Sequence, residues 1–132
     1  MNDKKKHDLG ASIADQSEPR LAPIRQFFDG NDDLGSIGCN LMEHPGIAVF
    51  EKILVGLLDR KDVDAVYAQI FEDPGDGCWL FTDTVLVVGD IPRQELQQLL
   101  EPLQPDEVAP VTSVPMFIQQ RHKAPVLYAW WD

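Results

Sequence analysis

Between Phe28 and Pro45 the chain gathers Asp29, Asn31, Asp33, Cys39, Asn40 and His44, with three glycines, into one connection. Side chains of these types support three chemistries. Asp29, Asn31 and Asp33 alternate as the first oxygen ligands of a calcium loop do, but Leu34 stands where the sharp-turn glycine belongs and Asn40 where a bidentate glutamate closes the shell. Turn formation explains Asp, Asn and Gly here equally well, because their side chains bond nearby backbone. Cys39 and His44 invite a thiolate and imidazolium pair ahead of a helix N-terminus, with Asn40, Glu43 or Asp29 to orient the ring. Their spacing matches no nucleophile signature, however, and free cysteine is usually packed inside, so a buried structural Cys39 is expected. Zinc would draw on Cys39, Cys78, His44 and His122, which lack the paired short spacing of structural zinc sites. No metal and no cofactor is expected. The six loop residues are binding candidates, and they serve a small enzyme or ligand site only if they converge on one concave pocket.

Two further candidates lie near the end of the chain. Trp130 and Trp131 are adjacent in an apolar run, and on a strand neighbours point to opposite faces. At most one belongs to a helix-covered core, while the other packs on the open face or on a partner, where large aromatics act as anchors. Asp83, set between Phe81 and Val85, is expected on the exposed face of a sheet, since a buried carboxylate needs a partner. Gly75 and Gly77 fit a hairpin turn, and no glycine-rich phosphate-binding pattern occurs.

The elements that must position these residues follow from periodicity. Leu21 to Phe28 reads as a first strand, closed by the turn Asp29-Gly30-Asn31-Asp32. A helix starts at Pro45, with Phe50, Ile53, Leu54, Leu57 and Leu58 on one stripe and His44 or Asn40 available as caps. Val63 to Phe71 and Trp79 to Val88 form an antiparallel hairpin. Asp90 caps a second helix that carries Leu96, Leu99, Leu100 and Leu103 and breaks near Pro102 and Pro105. Two proline-flanked apolar runs, Val111 to Ile118 and Val126 to Trp131, supply one or two strands, which prolines confine to an edge or a bulge. The order is that of an α+β, ferredoxin-like βαββαβ split motif, with both helices on one face of an antiparallel sheet and an extra C-terminal edge strand.

Composition narrows the function classes. With 132 residues and 44% hydrophobic side chains, residues 21 to 132 suffice for a single domain, preceded by a flexible polar tail over residues 1 to 20. The tail carries four charges of each sign, so the whole net charge of −11 belongs to the domain. An anionic exterior repels phosphate backbones and anionic lipid, which excludes nucleic acid and membrane surfaces as partners. Two cysteines and no apolar leader point to the cytoplasm, and no run approaches the roughly 18 residues of a membrane span. The expected role is noncatalytic protein binding: an immunity-type or regulatory domain acting on a basic partner, or self-association, through the open sheet face and the 29 to 44 loop.

Overall fold

Five strands form one open, wholly antiparallel sheet in the computed structural model, which describes all of residues 1–132. In chain order they are β1 (Arg20–Pro23), β2 (Val63–Glu72), β3 (Phe81–Gly89), β4 (Glu107–Pro110) and β5 (Val126–Trp130). Five helices accompany them: α1 (Asp3–Ile13), α2 (Ile24–Phe28), α3 (Ile47–Gly56), α4 (Arg93–Leu99) and α5 (Met116–Gln119). The fold is α+β with the expected antiparallel sheet, consistent with a ferredoxin-like arrangement. Element order does not fix strand order, which here is β1-β2-β3-β5-β4, with β1 at a border beside β2.

Alternation along the strands divides the sheet between two cores. Val66, Ala68, Val85, Val87, Leu127 and Ala129 face a cluster of 26 buried residues that takes in side chains of α1, α2, α3 and α4. Tyr67, Leu86, Val88 and Val126 face the other way, against Ile118 of α5 and half-buried Val111, Val114 and Phe117. The segment leading into α5 therefore covers part of the second face.

Four sequence expectations need correction. Residues 1 to 20 are not a mobile tail: Asn2 caps α1 by accepting from the Lys5 N–H at 3.1 Å, and Leu9 and Ile13, one turn apart, are both buried. The first strand stops at Pro23, because coiling Ile24–Phe28 into α2 puts Ile24, Phe27 and Phe28 on one buried face, whereas extension would split Phe27 from Phe28. In the proline-rich end the strand lies earlier, at Glu107–Pro110, and the apolar run from Val111 folds over the second face to become α5. Asp90 does not cap α4 either, since Pro92 holds the N-cap position.

Both borders of the sheet are closed. At β1 the Gln16 carboxamide accepts from the Leu21 N–H at 2.8 Å and donates to its carbonyl at 3.0 Å, as a neighbouring strand would. Leu21 thus faces away from β2, and so does Pro23 two residues on, which has no N–H to offer. At β4 the Val111 N–H bonds the Val126 carbonyl, which leaves Pro110 and, two residues earlier, Val108 turned outward. The Val108 carbonyl accepts from Arg93 at 3.4 Å. Gln16→Ala should lower unfolding stability by about 1–2 kcal/mol and expose a strand edge, read as an earlier urea midpoint together with a rise in light scattering.

Candidate functional site

The 29 to 44 connection holds itself together. Asn31 accepts from the Asp33 N–H at 2.9 Å and donates to the Ser36 hydroxyl at 3.0 Å, while Asp33 accepts from the Gly35 N–H and the Trp79 N–H, each at 2.9 Å. The Asp, Asn and Gly pattern is therefore turn chemistry, and Asp33 also ties the loop to the entrance of β3. Asp33→Ala strands both amides and should cost about 1.5–3 kcal/mol in a denaturant titration, a loss that added calcium does not restore. Asp29 points away, to Lys5 Nζ at 2.6 Å. The His44 ring spans the approach to α3: its Nδ1 accepts from the Gly46 N–H at 2.9 Å, so Nε2 carries the proton and donates to the Ile37 carbonyl at 2.8 Å. The same ring packs 5.1 Å from Phe50.

Cys39 is exposed, contrary to the expectation of a packed thiol. Gly38 is the reason: its backbone is left-handed (φ 63°) and lies against the Phe50 ring, so the core is filled there and the next side chain turns outward. Cys39 and Asn40 edge a recess of about 200 Å³ with Asp83 and Asp132. Asp83 is the extra residue of a β-bulge, since Gln69 pairs with Thr84 and Ile70 with Thr82; its carboxylate accepts from the Thr84 hydroxyl at 2.8 Å. The six loop candidates do not converge on one site: Asp29 serves α1, Asn31 and Asp33 serve the turn, His44 serves α3, and Cys39 and Asn40 edge the recess. No three His, Cys, Asp or Glu side chains are grouped to hold a metal ion.

The tryptophans divide as geometry requires. Trp131 is buried in the large core, 5.7 Å from Phe50, and its indole N–H donates to the Leu103 carbonyl at 2.8 Å. Trp130 is half-buried on the opposite face, in a transverse row with Gln69, Thr84 and Glu107. Beside that row, Tyr67 is roofed by Phe117 and bonds His122 at 2.9 Å, and burial raises its phenol pKa despite the nearby Arg121. The open face is thus a narrow strip.

A larger concavity lies elsewhere, a groove of about 980 Å³ between α1 and the end of the β2–β3 hairpin. Residues 3, 7 and 10 of the helix and its C-cap Ala14 line one wall, and residues 70 to 73, with 76 and 77, line the other. Lys6 bridges the two, reaching the Asp73 carboxylate and the Gly75 carbonyl, each at 2.8 Å. Lys6 also holds the Asp73 carboxyl below the usual carboxylate range, helped by the Gly75 N–H. Because the unfolded chain then takes up this proton before the folded one, the clasp contributes fully above about pH 4 and weakens as pH falls further. Amide exchange in α1 should accelerate on going from about pH 5 to about pH 3, relative to the intrinsic rates, and Lys6→Met should reduce that dependence, the remainder coming from Asp32, which the Met1 ammonium also holds below the usual range.

Comparison with known proteins adds one finding. The model of the family described as "Uncharacterized protein YfbO family" matches residues 4–129. The chain belongs to the YfbO family. No curated protein and no solved structure matches it. The YfbO match runs from α1 to β5, so the first helix and the groove wall it forms lie within the family unit. Sequence reasoning missed the groove in this YfbO protein because it dismissed α1, although the Asn2 cap and the Leu9 and Ile13 spacing were there to be read. It also missed Phe71, the apolar residue that β2 turns outward at 58% exposure.

Proposed function

We propose that the protein is a small acidic, noncatalytic domain that binds a basic protein partner in a reducing cytoplasm. One observation carries this reading. Of 22 carboxylates, seven are in ion pairs, which leaves 15 with no cation within 4.0 Å. The Met1 ammonium, Lys4, Lys5, Lys6, Arg20 and Arg60 supply those seven pairs, which leaves six of the 11 Lys and Arg side chains against the 15 unpaired carboxylates, a balance that disfavours a phosphate backbone or an anionic lipid. An unneutralised field of one sign draws an oppositely charged protein and speeds its docking. Both thiols are free, which suits a reducing compartment, and no helix is long and apolar enough to cross a membrane. The closed sheet borders weigh against strand-paired self-association and favour a different partner.

Immobilised protein should retain a Lys- and Arg-rich protein from native lysate at about 50 mM salt and release it by about 300 mM. Calorimetry with that purified partner should then give an affinity that falls steeply with salt. Retention of neutral or acidic proteins alone, or an affinity indifferent to salt, would overturn the proposal.

A further inference from the structure

The groove beside α1 combines three properties that its neighbours lack. First, its helical wall is low. Gly10, Ala11 and Ala14 lie on the lining side, and a methyl added at Gly10 would meet nothing within 4 Å, so another backbone has room to come close. Second, the facing wall offers apolar surface, with Phe71 exposed and Ile70 and Leu80 beneath. Third, its charge is uncompensated. Lys6 and Arg20 are the lining Lys and Arg residues, and each is already paired, with Asp73 and Glu18 respectively. Asp3, Glu72 and Asp76 have no cation within 4.0 Å.

We propose that this groove is where the basic partner docks, receiving a segment with Lys or Arg side chains on its edges and apolar ones between them. The segment's apolar side packs on Phe71 and over Gly10, while its cations reach Asp3, Glu72 and Asp76. The inference rests on the proposed function and adds the place and the mode of contact: an apolar strip for anchorage with an acidic rim for selection. Trp130, one of the two tryptophans the sequence offers as an anchor, is the weaker candidate because it is half-buried on a face that α5 partly covers.

The test uses the full chain and a short amphipathic peptide of leucines and lysines as the probe, followed by fluorescence anisotropy and by ¹⁵N NMR of the protein. Shifts should concentrate in residues 3 to 14 and 70 to 77. Gly10→Leu places a side chain in the groove and removes a helix-weakening glycine, so its fold should persist, as circular dichroism would verify. It should weaken binding about tenfold or more, and so should the combined Asp3→Asn, Glu72→Gln and Asp76→Asn variant. Glu51→Gln, Asp64→Asn and Glu101→Gln together remove the same charge outside the groove and should leave affinity within about twofold. Equal losses in the two triple variants, or shifts centred on the 34 to 43 loop, would overturn the groove while leaving an acidic binding domain intact. No binding of the peptide at low salt would overturn both readings. A dimer of the free protein that Gly10→Leu abolishes would show a second copy to be the occupant, and would also overturn this proposal.

Discussion

Gly89→Ala should destabilise the protein by roughly 3–5 kcal/mol, most of the stability of a small domain. Gly89 ends β3 opposite Val63 with φ at 151°, a conformation that L side chains rarely adopt. A methyl there would overlap the Asp62 carbonyl and come within 2.8 Å of the Val63 Cα. Those neighbours are backbone, and they cannot rotate aside as a flexible side chain can. Two costs therefore add, the strained dihedral and the overpacking. Relief by moving the 62 to 63 backbone would disturb the Arg60 bridge, in which the guanidinium grips Asp62 at 2.9 Å and Glu95 at 2.7 Å and holds the Asp62 carboxyl below its usual range. The measurement is a urea titration by circular dichroism. A loss under about 1 kcal/mol would mean that β2 and β3 approach less closely at this point than described.

Trp131→Ala should cost about 3–5 kcal/mol, whereas Trp130→Ala should cost about 1 kcal/mol or less. The residues are neighbours, so this contrast tests which one faces the large core. Trp131 is 2% exposed, contacts Phe50 and satisfies the Leu103 carbonyl; truncation leaves a cavity and an orphaned acceptor together. Trp131→Phe separates the terms, keeping much of the volume and losing the hydrogen bond, with an intermediate cost expected. Equal effects at both positions would require the two rings to share one interior, against the alternation of β5.

The parts of the fold written in side-chain periodicity were legible. The stripe from Phe50 to Leu58 gives α3 and its 3-10 extension, and the two β-branched runs give the β2–β3 hairpin close to its observed limits. The parts set by tertiary context were not. Ile24, Phe27 and Phe28 suit a strand locally and a helical turn globally, and burial of both phenylalanines decides for the helix. Prolines in the 105 to 125 stretch mark an edge without saying where its strand begins, and Pro110 sits at its end. The candidate site was the least legible, because the same Asp, Asn, His and Cys types serve turns, caps and catalysis. Tertiary placement alone distinguishes an Asp33 bonded to two backbone amides from one pointing into a cleft. The groove was hidden for another reason: it lies between a helix that looked too polar to fold and a strand end more than 50 residues away, and no local pattern links the two.

The sealed flanks of the sheet set the kinds of assembly open to this molecule. A Gln16 amide and two prolines stand where another chain's ribbon would zip on, so growth into fibres or exchange of strands between copies requires evicting a bonded group first. Complexes must instead form broadside, through finite surfaces that saturate after one or a few contacts.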